Sequence, residues 1–218
     1  MFVRTKKQRI KYMGKNLVTA VCIVSLSVWI LTGCLSNEPA VVIEPRINAE
    51  ELEAFGVTVY TEKELFPLER LVTLDGAPYN GGALRGKYAL VNLWATWCPY
   101  CKAEKPSMQR LYDERAGEGF TILAVSVGED ANTVRDYMSE NKLNLPVALD
   151  PKNEVKEIYA PRIPTSYVLD PEGIIIARIN GNKEWDSEQA QKVLEYLVTR
   201  GRRSVSAERP TPGGLQPR

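Results

Sequence analysis

The chain has 218 residues, a length that suits one domain with appendages rather than two full domains. A hydrophobic content of 44% and a charged content of 25% are typical of a globular protein. The net charge of +1 is unevenly spread, because residues 1–33 carry six basic and no acidic side chains and the remainder carries 22 basic against 27 acidic ones. The basic excess therefore belongs to the N-terminus, and nothing in the charge indicates nucleic-acid binding.

The N-terminus has the layout of a secretory signal, a basic stretch followed by an apolar run from Leu17 to Leu31. At about 15 residues the run is shorter than the roughly 20 that a membrane-spanning helix needs. It ends in Leu31-Thr32-Gly33-Cys34, which resembles the lipobox of bacterial lipoproteins. That resemblance implies a signal peptide over residues 1–33 and a lipid on Cys34; an uncleaved signal anchor is the alternative. Either way, we expect an extracytoplasmic protein tethered to a bacterial membrane, on its periplasmic side or at the cell surface.

Composition also divides the rest of the chain. Residues 34–50 are polar and contain two prolines, so we interpret them as a tether from the membrane. Residues 201–218 are rich in Arg, Pro and Gly with almost nothing to bury, which predicts a disordered tail. The folded domain is therefore predicted over residues 51–200.

Within that domain, strands and helices are predicted to alternate. A short hairpin or edge element at residues 71–74 is followed by the Asp75-Gly76 turn. The predicted strands are 88–95, 120–127, 145–149, 165–169 and 174–179, the last two joined by a type I turn over 170–173. The predicted helices run from the cysteines to about residue 116, after an N-cap at Asp130, over 154–159, and after a cap-like pair of Asp186 and Gln189. This order predicts an α/β three-layer sandwich, with helices on both faces of a central mixed sheet.

Four cysteines occur in the chain. Cys22 lies in the apolar run and leaves with the signal peptide, and Cys34 is blocked by lipid if the lipobox is used. Cys98 and Cys101 then have only each other as intramolecular partners. Outside the cytoplasm such a pair stays a dithiol only if something reduces it.

The Cys98-x-x-Cys101 pair sits where a buried strand meets a helix. A sulfur at the start of a helix faces free backbone N–H groups and the positive end of the helix dipole, which stabilise its thiolate. Pro99 suits the first helical turn, where its missing N–H costs nothing. Cys98 is therefore the predicted nucleophile. Cys101, nearly one turn later, is the predicted resolving thiol.

Two other interpretations of the pair stay open. Tetrahedral zinc needs four ligands and the chain has no histidine, whereas Cu(I) accepts two thiolates. A purely structural disulfide closes a very small loop and adds little stability. We favour a redox role with no metal, and no cofactor beyond the redox-active disulfide itself.

The segment VNLWATWCPYCKAEKP resembles the active site of the thioredoxin superfamily, and most closely that of its membrane-tethered TlpA/ResA-like thiol–disulfide oxidoreductases. The likeness runs from about residue 66 to residue 197 and includes Trp97, Pro106 and the motif 162–165 (RIPT). It implies a thioredoxin-like fold and a cis Ile163–Pro164 bond beside the disulfide, with Trp97, Ile163 and Pro164 contacting the substrate. A simple turn proline in trans is the alternative at Pro164.

Glu104, one turn after Cys101, is an acid that this family often has. A partly buried carboxylate there, with its pKa raised by desolvation, can take and return the proton of Cys101; an early-helix acid favoured by the dipole is the alternative. Asn92 stands where thioredoxins have a buried aspartate, which puts more weight on Glu104. We expect Lys102 and Lys105 to face solvent, and Trp94 and Trp97 to pack in the core and at the rim.

The resemblance implies a reductant of disulfides in client proteins, for example apocytochrome c, that is itself re-reduced by a membrane thiol reductase of CcdA/DsbD type. One alternative is a peroxiredoxin-like peroxidase. That class has a threonine three residues before its cysteine, where this chain has Ala95. The other alternative is a non-enzymatic Cu(I)-binding chaperone lipoprotein.

Overall fold

The structure, a computed structural model, describes residues 47–117 and 119–208, with side chains as far as Arg203. The predicted signal peptide, Cys34, most of the tether and residues 209–218 lie outside the described residues, so what the sequence indicates for them stays a prediction. Within the described part, no helix is both long and apolar enough to cross a membrane.

Six strands and five α-helices make up the described part of the chain. The strands are β1 (Val57–Val59), β2 (Tyr88–Trp94), β3 (Phe120–Val127), β4 (Val147–Asp150), β5 (Thr165–Leu169) and β6 (Ile175–Asn180). The helices are α1 (Ala49–Ala54), α2 (Pro99–Arg115), α3 (Ala131–Glu140), α4 (Glu154–Tyr159) and α5 (Glu188–Glu208), and a 3-10 turn covers Leu68–Arg70.

The strands form one sheet in the order β1-β6-β5-β2-β3-β4. The pairs β2–β3 and β3–β4 are parallel, as expected for strands joined by crossover helices. The pairs β2–β5, β5–β6 and β1–β6 are antiparallel. The predicted mixed sheet is therefore confirmed, with the β5–β6 hairpin on one side of the central strand and the parallel strands on the other.

Strand β2 is the centre of the core. All seven of its residues are buried, so both of its faces are covered. Its neighbour β3 is buried at every position after Phe120. The near-continuous apolar runs that predicted these two strands thus reflect burial on both faces, and the one amide among them, Asn92, lies fully inside the protein.

The register of the sheet places two loops side by side. Leu93, near the end of β2, pairs with Thr165 at the start of antiparallel β5. The loop that follows β2 leads into Cys98, and the segment that precedes β5 contains Ile163 and Pro164. Two segments more than 60 residues apart in sequence therefore meet at one edge of the sheet.

Several predicted local features are present. Val72 forms antiparallel bridges with Pro78 and with Leu149, so the predicted hairpin exists and docks on β4. Asp130 caps α3 by accepting hydrogen bonds from the N–H groups of Asn132 and Thr133. The sequence predicts this cap because the aspartate and the two N–H groups that it accepts from lie within three residues of each other.

The N-terminal part of the domain differs from the prediction. Helix α1 begins at Ala49, two residues before the predicted boundary, and Asn48 and Glu51 close it with a capping box. Strand β1 was not predicted; it pairs Val57 with Ile179 at the edge of the sheet. Three residues are too few for a period-2 pattern, so only the partner strand defines β1.

Both ends of the C-terminal helix α5 also differ from the prediction. Ser187, rather than Asp186, accepts a hydrogen bond from the N–H of Ala190, and Asp186 pairs with Arg110 instead. The helix continues to Glu208, eight residues past residue 200, where the folded domain was predicted to end. Gly201, expected in a disordered tail, is buried.

Candidate active site

Cys98 lies at the N-terminus of α2, where it is the N-cap residue. Its Sγ accepts a hydrogen bond from the N–H of Cys101 at 3.2 Å, and Pro99 occupies the first helical position. This is the predicted junction of buried strand and helix. The free N–H groups of the first turn and the positive end of the helix dipole both face the Cys98 sulfur.

Cys98 and Cys101 form a disulfide, with their Cα atoms 5.3 Å apart. Cys101 is fully buried and Cys98 is 3% exposed. Of the two, Cys98 is the one that reaches the surface, and it lies between exposed aromatic side chains. Trp97 is 64% exposed and Tyr100 is 68% exposed.

The Ile163–Pro164 peptide bond is cis, as the resemblance implied. The carbonyl oxygen of Ile163 lies 3.9 Å from Sγ of Cys98. The carbonyl of Pro164 accepts a hydrogen bond from the N–H of Gly181, which ties this segment to the loop after β6. The two predicted halves of the site, the cysteine pair and Ile163-Pro164, are therefore in contact.

A buried polar network joins the strands β2 and β5 to helix α2 and centres on Asn92. Its Nδ2 donates to Oε1 of Glu104 at 2.8 Å and to Oγ of Ser166 at 2.9 Å. Its Oδ1 accepts from Nζ of Lys105 at 2.6 Å. Asn92 thus connects strand β2 with helix α2 and strand β5.

Glu104 is 1% exposed and is held from a second side by the loop that precedes α5. Its Oε2 accepts from the backbone N–H of Lys183 at 3.2 Å and from Nε1 of Trp185 at 3.1 Å. Trp185 is itself fully buried. Among the described residues, neither cysteine sulfur is a hydrogen-bond partner of Glu104 while the disulfide is closed.

Burial raises the pKa of the Glu104 carboxyl above its ordinary value. The positive charge of Lys105 and the hydrogen bonds from Asn92, Trp185 and the backbone of Lys183 oppose that rise. The predicted direction of the pKa is therefore confirmed, and its cause is desolvation.

The expectation that Lys105 faces solvent is wrong. Its side chain is 1% exposed, its Nζ lies 4.0 Å from Oε1 of Glu104, and it sits 4.5 Å above the ring centre of Trp94. Burial lowers the pKa of Lys105 to about 8, while the charge of Glu104 acts in the opposite direction. Lys102, three residues earlier on α2, is exposed as expected.

The structure adds Glu129, which sequence reasoning missed. Its carboxylate accepts hydrogen bonds from the backbone N–H and the hydroxyl of Thr96 and from the hydroxyl of Ser126. Glu129 is 9% exposed. It therefore fixes the loop between β2 and Cys98. The only signal in the sequence was an acid two residues after the end of a buried strand, which is too common to single out.

Among residues 47–117 and 119–208, no three His, Cys, Asp or Glu side chains are grouped so that they could hold a metal ion.

The sequence profile of the AhpC/TSA family matches residues 63–178, more than half of the chain. The chain belongs to this family. The resemblance drawn from the cysteine segment is thereby confirmed at the level of the family.

Curated relatives named thiol-disulfide oxidoreductase ResA match this AhpC/TSA family member. The Bacillus subtilis protein is 36% identical over 99 residues, which cover 45% of this chain and 55% of the relative. The Geobacillus kaustophilus protein is 30% identical over 174 residues, which cover 75% of this chain and 99% of the relative. The chain spans only about half the length of two of these relatives, 55% of the Bacillus subtilis protein and 52% of the Oceanobacillus iheyensis protein.

A solved structure of a secreted thiol-disulfide isomerase from Corynebacterium glutamicum superposes with a TM-score of 0.54 at 22% identity. The match covers 66% of this chain and 90% of that protein. At this identity the likeness concerns the fold alone. Together with the family match, it confirms the expected thioredoxin-like mixed sheet.

Proposed function

We propose that this protein is an extracytoplasmic thiol–disulfide oxidoreductase that exchanges the Cys98–Cys101 disulfide with client proteins. The observation that carries the proposal is the position of Cys98 at the start of α2, 3.9 Å from the carbonyl of Ile163 and bonded to a buried Cys101. The ResA relatives carry the name of this activity.

The reaction follows from the two sulfurs. In the reduced protein, the Cys98 thiolate attacks a client disulfide; a bond forms between Cys98 and one client sulfur, and the other client sulfur leaves as a thiolate. The Cys101 thiolate then attacks Cys98, which re-forms the Cys98–Cys101 bond and releases the second client thiolate. Two electrons pass to the client, whose thiolates take up two protons.

Glu104 is the proposed acceptor of the Cys101 proton, since it lies one turn further on the same helix. Its carboxylate is held by donors on two sides and is shielded from water, so proton exchange with a neighbouring thiol is favoured over exchange with solvent. When the disulfide is closed there is no proton to transfer, which is consistent with the absence of a Glu104–sulfur hydrogen bond among the described residues.

Client binding is proposed at the surface around Cys98. Trp97 offers an exposed indole, Ile163 is half-buried with its carbonyl beside Cys98, and Pro164, the next residue, is buried. An extended client segment fits there, with backbone hydrogen bonds to Ile163 and apolar contact with Trp97.

The setting of the domain rests on the sequence. Residues 1–33 are the proposed signal peptide, Cys34 the lipid attachment site and residues 34–50 the tether, with the folded part outside the cytoplasm on a bacterial membrane. A reductant in this compartment needs electrons, and a membrane thiol reductase of CcdA/DsbD type is the proposed donor. Apocytochrome c is a proposed client by analogy with the family.

The deciding experiment is a disulfide-reduction assay on an insulin-type substrate with the wild-type protein, Cys98→Ser and Cys101→Ser. We expect Cys98→Ser to be inactive and Cys101→Ser to accumulate a covalent mixed disulfide through Cys98. Reduction that survives in Cys98→Ser contradicts the proposal. Peroxide consumption without disulfide reduction favours the peroxidase alternative, and tight Cu(I) binding without turnover favours the chaperone.

A further inference from the structure

Lys105 is an unusual residue to find buried in the core, about one turn of α2 after Cys101. Removing an ammonium group from water costs free energy unless a partner compensates it. Lys102 has the same side chain on the same helix and stays in solvent, so the burial of Lys105 is specific to its position. The compensating partners are the Oδ1 of Asn92 at 2.6 Å, the carboxylate of Glu104 at 4.0 Å and the face of Trp94.

The hydrogen bond from Lys105 decides how the amide of Asn92 is oriented. An ammonium group only donates, so the amide oxygen must face Lys105. The amide nitrogen then faces Glu104 and Ser166 and donates to both. The reverse orientation would place the amide oxygen against a carboxylate and the amide nitrogen against an ammonium group, and both contacts are repulsive. Lys105 therefore acts on Glu104 by its charge and through Asn92.

We propose that Lys105 is a positioning residue that keeps Glu104 ionised and ready to accept the proton of Cys101. The inference rests on the proposed function of Glu104. The proton moves from the Cys101 sulfur to the Glu104 carboxylate, so the net charge of the buried groups is unchanged by the transfer. Lys105 stays charged throughout and touches neither the client nor the sulfur.

Within residues 47–117 and 119–203, the charged and titratable groups that face Glu104 come from helix α2 and from the loop before α5. Helix α2 contributes Lys105 and, one turn earlier, Cys101. The loop before α5 contributes Lys183, whose backbone N–H contacts Glu104 while its ammonium donates to the carbonyl of Asn180. Asn92 and Trp185 are neutral donors. Burial raises the pKa of Glu104 and Lys105 lowers it, which agrees with the direction that the geometry indicates.

The test is a titration of the Glu104 side-chain carboxyl by carbon-13 NMR, on the oxidised full-length chain in detergent. The Glu104 signal is assigned by its loss in Glu104→Gln. Lys105→Met removes the charge and the donor, Lys105→Gln removes the charge but keeps a donor, and Lys102→Met removes an exposed charge as the control. We expect the midpoint of Glu104 to rise by about one to three pH units in both Lys105 variants. In Lys102→Met it should stay at the wild-type value.

Unchanged midpoints in the Lys105 variants, or an equal shift in Lys102→Met, overturn the proposal. The wild-type protein gives a readout that needs no variant, because the Nζ and Cε signals of Lys105 must shift at the Glu104 midpoint if the two groups are coupled. The absence of that shift also overturns the proposal. These titrations use the oxidised protein without turnover, so a failure of the reductase assay would reject the proposed function and leave the Lys105–Glu104 result standing.

Discussion

Glu129 holds Thr96 through two different groups, accepting from both its backbone N–H and its hydroxyl. Thr96 lies two residues before Cys98, in the loop that leaves strand β2. Ser126, near the end of β3, donates to the same carboxylate at 2.6 Å. The loop that carries the nucleophile is therefore anchored to the neighbouring strand, and the direction in which Cys98 enters α2 depends on an acid 31 residues further on.

Replacing Glu129 is expected to slow disulfide reduction. Glu129→Ala leaves three donors without their acceptor, so we expect a loss of about 2–3 kcal/mol in unfolding free energy and a lower rate at Cys98. Asp130→Ala is the matched control, because it removes the cap of α3 at a cost of about 1 kcal/mol but leaves the Thr96 loop intact. Denaturant unfolding and the reduction rate are measured on both. Equal losses of rate would show that Glu129 has no specific effect on the loop.

Asn92→Leu is expected to destabilise the oxidised protein strongly. The substitution keeps the approximate size but removes the acceptor of Lys105 and a donor to Glu104, so two buried charged groups lose partners. We expect a loss of about 3 kcal/mol or more, against about 1 kcal/mol for Ser166→Ala, which removes a single neutral partner. Denaturant unfolding of the oxidised variants gives both values. Similar losses in the two variants would mean that the network contributes no more than an ordinary hydrogen bond.

Alanine substitutions at Gly56 and Gly76 distinguish the cost of a positive φ from the cost of a steric clash. Both have a positive φ, of 83° and 82°, which costs an alanine about 1–2 kcal/mol. A Cβ at Gly56 would also lie 2.9 Å from the backbone oxygen of Asn180, whereas a Cβ at Gly76 meets nothing within 4 Å. Thermal unfolding should show a larger loss for Gly56→Ala than for Gly76→Ala. Equal losses of thermal stability would mean that the backbone at the β1–β6 edge moves to accommodate the methyl group at no energetic cost.

The pH dependence of the unfolding free energy should show the effect of the lowered pKa of Lys105. Its pKa is about 8 in the folded protein against an ordinary 10.5, so between these values the unfolded chain binds more protons than the folded one. The unfolding free energy therefore rises with pH across this window, by a few kcal/mol at most, at about 1.4 kcal/mol per unit of pKa. The measured quantity is the difference between wild type and Lys105→Met in the oxidised state, which cancels the contributions of the groups that the substitution does not affect. A difference that is flat or falls from pH 8 upward contradicts the burial of a titrating lysine.

The sequence was sufficient to predict a helix or strand where the residues that define its ends are close in sequence, or where the element is a continuous apolar run. Strand β3 and helix α4 have the predicted bounds, and α2 starts at Pro99, directly after the predicted cysteine Cys98. A strand buried on both faces needs a continuous apolar run, and a proline directly after Cys98 suits the first turn of a helix, so β3 and the start of α2 both leave a pattern in the sequence.

The parts that the sequence did not indicate depend on distant partners. Lys105 lies in a stretch with two lysines that look equally exposed, and its burial is decided by Asn92 and Trp94 on another element. Trp185 reaches Glu104 from 81 residues away. No periodicity within one element reports such a contact.

The length of α5 has a similar cause. A glycine inside a polar, Arg-rich segment suggests the end of a helix. In the structure, a Cβ at Gly201 would lie 2.7 Å from Cδ1 of Ile176 and 3.0 Å from Cε1 of Tyr88, so the missing side chain lets the helix lie close to the sheet. Packing against β2 and β6 therefore outweighs the low helix propensity of glycine.

The central claim is that Cys98, rather than Cys101, is the attacking sulfur. The most direct test is alkylation of the freshly reduced full-length protein with iodoacetamide at mildly acidic pH, followed by mass spectrometry of the two cysteine peptides. We predict that Cys98 is modified first and faster than a free cysteine under the same conditions, because the helix start stabilises its thiolate and Cys101 is buried. Modification of Cys101 first, or a Cys98 that reacts no faster than free cysteine, would contradict the mechanism.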